Sequence, residues 1–245
     1  MIRVNINYAV FLLWVLALTS CSQRYKIEGN SSITSLDGKM LFLKILQDNG
    51  QWVSIDSAEV VHGLFSMKGP ADSVRMVTLY MDDESIMPLI LEDGKVEVII
   101  SNAQLTAKGT PLNDALYEFI ERRNAMEVKL EDLERQEARL VLDGANLDEV
   151  HDKLVKQEED LLKEMNEYVK GFIIGNADNV LGPNVFMMMC NTLPYPVMTP
   201  EIEEIMRVVP VYFKEHVFVK DYLSKAKENM KLIEEHKRLQ ETVQN

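Results

Sequence analysis

The chain has 245 residues, of which 47% are apolar, 27% charged and 7% aromatic, and this composition excludes wholesale disorder and a protein with several membrane spans. Its 39 acidic residues outnumber its 26 basic residues, and the net charge of −13 makes binding to nucleic acid unexpected. The two cysteines, Cys21 and Cys190, cannot form a disulfide scaffold, a CxxC redox motif or a cysteine zinc site.

Residues 1–20 have the pattern of a secretory signal peptide. Arg3 is the only charged residue among them, and an apolar run over residues 8–18 follows it. This run is too short to cross a bilayer, which needs about 20 helical residues, but it suits the apolar part of a signal peptide. The alternative is an uncleaved membrane anchor over residues 2–18.

The end of this segment, Leu18-Thr19-Ser20-Cys21, resembles the lipobox of bacterial lipoproteins, in which an aliphatic and two small residues precede a cysteine. The resemblance implies that Cys21 becomes the acylated first residue of the mature protein, which carries palmitate or a similar chain and is held at the membrane by it. Ser22 follows without an aspartate, which by resemblance to sorting patterns implies the outer membrane, with the protein facing the periplasm. The mature chain keeps 25 basic and 39 acidic residues, so its net charge of −14 gives it no affinity of its own for anionic lipid.

Residues 24–109 alternate between apolar and polar side chains in short runs, which predicts β-strands. Pairs such as Asp37-Gly38 and Asn49-Gly50 indicate tight turns between the runs. Because no helix-length segment interrupts them, we expect an antiparallel β-sandwich over residues 21–109. The candidate strands are residues 25–29, 40–46, 52–60, 64–68, 73–81, 86–91, 95–100 and 105–108.

The pattern becomes helical at Thr110-Pro111, which predicts an N-cap followed by proline at the first helical position. Two apolar series at helical spacing follow, and Asp143-Gly144-Ala145 separates them, so we expect a long antiparallel helical hairpin. Arg123 and Glu137 interrupt the first series. The series are Leu112, Leu116, Phe119, Met126, Leu130, Leu133 and Leu140, then Leu147, Val150, Leu154, Leu161, Met165, Tyr168 and Phe172.

The rest of the chain also has a helical pattern. We expect helices near residues 183–190, after the second Thr-Pro pair at Thr199-Pro200, and over residues 217–236. The helical region therefore covers residues 110–238, and residues 239–245 form a polar tail. The predicted fold class is α+β, with the sandwich first and the helices after it.

Several motifs occur in order through the sheet half, and together they resemble domain of unknown function 4369 (DUF 4369). The motifs are Ile27-Glu28-Gly29, Gly38-Lys39-Met40-Leu41-Phe42-Leu43, Ile55-Asp56-Ser57-Ala58, Gly63-Leu64-Phe65-Ser66-Met67-Lys68-Gly69, Leu89-Ile90-Leu91-Glu92-Asp93-Gly94 and Gly109-Thr110-Pro111-Leu112-Asn113. The resemblance implies a lipoprotein of the Bacteroides group, in which the module commonly precedes a thioredoxin-like thiol–disulfide oxidoreductase domain. Residues 176–236 resemble the helical linker before that domain. No CxxC motif, cis-proline loop or βαβ pattern follows here, so we expect no oxidoreductase activity.

Candidate metal sites are weak. Asp82-Asp83-Glu84 lacks the spacing and the turn glycine of a calcium loop, and we expect an exposed hairpin turn there. Met187-Met188-Met189-Cys190 offers sulfur ligands, but consecutive helical residues point in different directions, which favours core packing. The four histidines lie without ligand spacing at His62, His151, His216 and His236. We expect no metal and no cofactor.

Three aromatic residues, Trp52, Phe65 and Tyr80, could form a sugar platform on the sheet, although aromatic residues at strand spacing more often belong to a core. The expected function is that of a lipid-anchored periplasmic interaction or scaffold protein without catalytic activity. The alternatives are a ligand-binding module for a glycan or a peptide, which an exposed aromatic strip would favour, and an uncharacterised hydrolase, which a cleft with two partly buried carboxylates would favour. We expect the partner surface on the hairpin, residues 112–172, with a homodimer as the simplest partner, unless both apolar stripes pack within one chain.

Overall fold

The computed structural model describes residues 23–143 and 146–243, and within them eight strands precede six α-helices, with a short 3-10 helix, Thr34–Leu36, between the first two strands. The strands are β1 (Arg24–Ser31), β2 (Met40–Leu46), β3 (Trp52–Glu59), β4 (Leu64–Pro70), β5 (Arg75–Met81), β6 (Glu84–Leu91), β7 (Gly94–Ile100) and β8 (Leu105–Lys108). The helices are α1 (Pro111–Leu142), α2 (Leu147–Gly175), α3 (Leu181–Cys190), α4 (Pro200–Val208), α5 (Val211–Lys214) and α6 (Val217–Val243).

The strands form two sheets, sheet A in the order β4-β1-β7-β8 and sheet B in the order β3-β2-β5-β6. This confirms the predicted α+β fold with an N-terminal sandwich. The prediction of a wholly antiparallel sandwich needs one correction, because β1 and β7 pair in parallel, with Tyr25 opposite Gly94. The chain crosses twice to sheet B between these two strands, and period-two alternation carries no information about strand direction.

The core is continuous from the sandwich into the helices. Alternate residues of β7, which are Val96, Val98 and Ile100, are at most 1% exposed and face sheet B. From the helices, Leu116 and Phe186 are fully buried in the same cluster. The sheets and helices therefore share one core.

Two glycines of the DUF 4369-like motifs lie under aromatic rings on the neighbouring strand. Gly29 of β1 is opposite Phe65 of β4, and a Cβ atom added to Gly29 would lie 2.0 Å from the Phe65 ring. Tyr25 and Gly69 form the same arrangement with the strands exchanged, at 2.6 Å from the phenolic oxygen. Each aromatic ring thus occupies the space that a side chain would need, which accounts for these glycines in physical terms.

Two further motifs meet where the sandwich joins α1. The Glu92 carboxylate accepts hydrogen bonds from the backbone N–H groups of Leu112 and Asn113, at 2.9 and 3.2 Å. It therefore caps α1, although the prediction assigned this role to Thr110. The Thr110 hydroxyl instead accepts a bond from the Asn113 amide, at 2.8 Å.

Helix α1 also occupies the open edge of β6. The Asn113 side chain accepts a hydrogen bond from Ile90 N–H at 2.9 Å and donates one to Ile90 C=O at 2.8 Å. One turn later, the Tyr117 hydroxyl donates to Pro88 C=O at 2.8 Å. Four helical residues rise about 6 Å and two strand residues about 6.6 Å, so the side chains match the spacing of the edge carbonyl groups. Helix α1 thus takes the place of a further strand.

The helices agree with the predicted order, with differences at their ends. The Thr199 hydroxyl caps α4 by accepting a bond from Ile202 N–H at 3.3 Å, as expected. The short helix α5 was not predicted, and α6 continues to Val243, through part of the predicted polar tail. Leu239, Gln240 and Glu241 favour helix there by intrinsic propensity. Within residues 23–143 and 146–243, no helix combines the length and apolarity needed to cross a membrane.

Candidate functional site

The predicted lipidation site lies outside the described residues. Cys21, the signal segment 1–20 and the lipobox all precede Gln23, where the description begins. The anchor therefore remains a prediction from the sequence.

The second cysteine, Cys190, is buried in the core. Cys190 is 3% exposed, and burial raises the pKa of its thiol to about 12. At neutral pH the thiolate, which is the reactive form, is therefore scarce. Met187, Met188 and Met189 pack against the core, as predicted for this string.

The predicted metal candidates are dispersed. Asp82, at φ 53°, lies in the exposed β5–β6 turn, where its backbone carbonyl accepts a bond from Lys44. Among the described residues, no group of three histidine, cysteine, aspartate or glutamate side chains could hold a metal ion. Glu92 is the one buried acid of the described part, and it serves as a helix cap. The structure thus places no pair of buried carboxylates together among the described residues.

The three predicted aromatic residues separate into two environments. Phe65 is buried over Gly29, whereas Trp52 is 47% exposed on the outer face of sheet B. The ring of Tyr80 lies 5.4 Å from that of Trp52, and the Lys44 ammonium lies 4.4 Å above the Tyr80 ring. Trp52 and Tyr80 are therefore an aromatic pair in which Trp52 is exposed and Tyr80 is half-buried beneath Lys44.

A groove of about 360 Å³ adjoins Trp52, between sheet B and helices α3 and α6. We call it the sheet B groove. Its walls include Trp52, Met76 and Phe218, and its polar groups belong to Thr78, Asn184 and Asn191. None of the described residues that line it is charged. Apart from Trp52, this set could not be recognised from the sequence, because its members are scattered over six elements and the loop after α3.

The helical hairpin has two unlike halves. Near the sandwich, Leu116, Phe119 and Ile173 belong to the core. Beyond Met126, no described side chain of α1 is buried, and Leu154 is the one buried side chain described in the outer part of α2. We call residues 127–143 and 146–164 the distal hairpin.

In the distal hairpin, only some side chains of the predicted apolar series are shielded from solvent. Leu130, Leu133 and Leu161 are half-buried, whereas Val128 is 59% and Leu142 is 86% exposed. A groove of about 570 Å³ runs along it, with Val128, Leu133, Leu161, Asp132, Asp160 and Glu164 among its lining residues.

Arg123 and Glu137 were predicted to interrupt the first apolar series, and the structure describes the side chain of Arg123. Arg123 forms an ion pair with Glu127, one turn further along α1, and lines a cavity between the hairpin, α3 and α4. The side chain of Glu137 lies outside the described part. Arg123 thus borders a cavity that residues of both α1 and α2 line.

A comparison with known families gives a match over the sandwich and the start of α1. Residues 25–116 match the family model described as Domain of unknown function (DUF4369). The match confirms the predicted resemblance and includes β1 from Tyr25 onward, β2–β8, the Gly29–Phe65 pair, Glu92 and Asn113. No curated protein matches the chain.

Proposed function

We propose that the protein is a lipoprotein of the cell envelope, anchored through Cys21 to the outer membrane and facing the periplasm. In this proposal it binds another protein through the distal hairpin and has no catalytic role. The lipobox-like sequence Leu18-Thr19-Ser20-Cys21 supports the anchor. The inert Cys190 and the use of Glu92 as a cap argue against a catalytic role for either group.

The observation that carries the binding role is the surface of the distal hairpin. A two-helix hairpin buries only one face of each helix, and its other faces need polar residues or a partner. Here Val128 and Leu142 are exposed, and Leu133 and Leu161 line an open groove between the helices. An amphipathic segment of a partner could bury these side chains as a third helix.

The negative charge of the distal hairpin favours a partner with a basic surface. Residues 127–164 hold 13 acidic and 6 basic residues, so a partner with a basic face is attracted to them. A second copy of the chain would bring the same negative charge into the interface. We therefore favour a basic partner, and the homodimer is the competing case.

The two cases respond oppositely to salt. Screening weakens attraction to a basic partner, whereas it relieves the repulsion within a homodimer. Analytical ultracentrifugation of residues 22–245 at about 0.05 and 0.5 M NaCl separates them. We expect a monomer at both concentrations, and a dimer that strengthens with salt and disappears in the Leu133→Asp/Leu161→Asp variant would establish the homodimer instead.

The anchor has its own test. Radiolabelled palmitate should enter the full-length protein and be absent from Cys21→Ala, because this cysteine carries the predicted acyl chains. Cys190→Ala is the matched control and should be labelled like the wild type, since the Cys190 thiol is buried. Labelling that survives in Cys21→Ala would refute the anchor.

A further inference from the structure

The sheet B groove differs from the rest of this protein in its chemistry. The chain is 27% charged, yet none of the described residues that line the groove has a charged side chain. His216, whose ring lies 5.7 Å from that of Phe218 in the wall, has its pKa lowered by burial, against the opposing effect of the Asp48 carboxylate, and the lower pKa favours its neutral form. A neutral ligand suits such a site better than a phosphate, a carboxylate or an amine.

The polar groups of the groove have unused hydrogen-bonding capacity. The Thr78 hydroxyl, the Asn191 amide and the Trp52 indole N–H bond to no other described residue. Asn184 donates to Val180 C=O at 2.8 Å, and its side-chain oxygen accepts no bond from the described residues. An alkyl chain in the groove would shield these groups from water without bonding to them, which is unfavourable.

The position of the groove disfavours an extended peptide. Its lining lies over the face of sheet B and includes residues of the inner strands β2 and β5 as well as Trp52 of the edge strand β3. Added peptide strands gain their affinity from backbone hydrogen bonds alongside a free edge, whereas a ligand over Trp52, Met76 and Thr78 lies across the face of the sheet and meets side chains. Side chains alone must bind the ligand.

From this combination we infer that the sheet B groove binds a neutral sugar residue of a glycan, with one face of the pyranose ring stacked on Trp52. The C–H groups on that face carry partial positive charge and meet the negative face of the indole ring. Thr78, Asn184 and Asn191 supply hydroxyl and amide groups that pair with the sugar hydroxyls in either direction. This site is separate from the distal hairpin and does not depend on the partner proposed there.

The chain permits a direct assay, because its two tryptophans are Trp14 and Trp52, and residues 22–245 contain every described element of the fold and only Trp52. The probes are maltohexaose, cellohexaose, xylohexaose and chitohexaose, each titrated to about 10 mM. We expect at least one of them to change Trp52 fluorescence in a saturable manner. Because the ligand is neutral, affinity should stay the same between about 0.05 and 0.5 M NaCl.

Three variants locate the binding site by calorimetry. Trp52→Ala should weaken binding by about 30-fold or more, as for a central aromatic anchor, and Asn191→Ala by about fivefold, as for one neutral hydrogen bond. Tyr195 is similarly exposed but does not line the groove, so Tyr195→Ala should bind like the wild type. Both Trp52 and Asn191 are exposed, so these variants should keep the wild-type melting temperature.

Three results would overturn the inference. One is that none of the four hexasaccharides binds to the wild type. Another is that a sugar binds Trp52→Ala as tightly as the wild type. The third is that a blocked, uncharged tetrapeptide of glycine, leucine and phenylalanine saturates the Trp52 signal while every sugar fails.

Discussion

Replacing Asn113 by alanine tests the account of how the sandwich holds the helices. Asn113 is fully buried, and its amide satisfies both backbone groups of Ile90, which is itself fully buried. Alanine leaves the Ile90 N–H and C=O groups without a partner at the edge of β6. The Thr110 hydroxyl loses its bond from Asn113 as well.

The expected loss follows from these bonds. An unsatisfied buried donor or acceptor costs about 1–3 kcal/mol. For the two groups of Ile90 we expect the free energy of unfolding to fall by about 2–4 kcal/mol, allowing for partial entry of water. In a chain of this length, that corresponds to a decrease in Tm of about 5–15 °C.

Urea unfolding of residues 22–245, followed by circular dichroism, measures this loss. Asn124→Ala is the matched control, because Asn124 lies exposed on the same helix and should change stability by less than about 0.5 kcal/mol. If Asn113→Ala and Asn124→Ala unfold at the same urea concentration, then the Asn113 side chain does not complete the hydrogen bonding at the edge of β6.

Three further outcomes follow from the same structure. Gly29→Ala should lower the free energy of unfolding by about 1–3 kcal/mol, because the added methyl group would overlap the Phe65 ring. Gly171→Ala is the control: it lies in open space on α2 and should leave stability unchanged or raise it by up to about 1 kcal/mol. Thermal melts compare the two variants. Glu92→Gln should be more stable than Glu92→Ala, since the glutamine side-chain oxygen can still accept hydrogen bonds from the N–H groups at the start of α1. Urea unfolding compares the free energies of unfolding of the two variants. Burial raises the pKa of Cys190 to about 12, so the native state keeps a thiol proton that the unfolded chain loses above about pH 9. Because deprotonation then favours the unfolded chain, the free energy of unfolding should fall as the pH rises from about 9 toward 12. Consistent with this, an aromatic disulfide reagent at about pH 8 should modify Cys190 only after denaturation.

The strands were predictable because each buries one face. Alternation placed β2 at residues 40–46 and β8 at residues 105–108, where the structure has them. The direction of β1 relative to β7 was not predictable, because it depends on how the chain crosses between sheets and not on which side chains are buried. The sequence motifs that contain Glu92 and Asn113 could each be recognised, but their contact could not be predicted, because it too depends on how the chain folds back on itself.

The candidate site was less accessible to sequence reasoning. Alternation can place Trp52 on a face of the sheet, but whether a helix covers that face depends on packing between distant elements. In the structure Phe65 is covered and Trp52 is half-exposed beside α3 and α6. In α1 and α2, helical spacing identified apolar stripes such as that of Leu116 and Leu133, but not where the sandwich stops covering them.

Site-specific photo-crosslinking in intact cells most directly tests the central claim, that the distal hairpin binds a partner in the envelope. A photoreactive residue at Val128, which is 59% exposed, is compared with one at Leu232 on α6, which is 58% exposed. We expect one discrete adduct with a different, basic protein from position 128, none from position 232, and loss of the adduct in Leu133→Asp/Leu161→Asp. No adduct from position 128, or the same adducts from both positions, would contradict the claim.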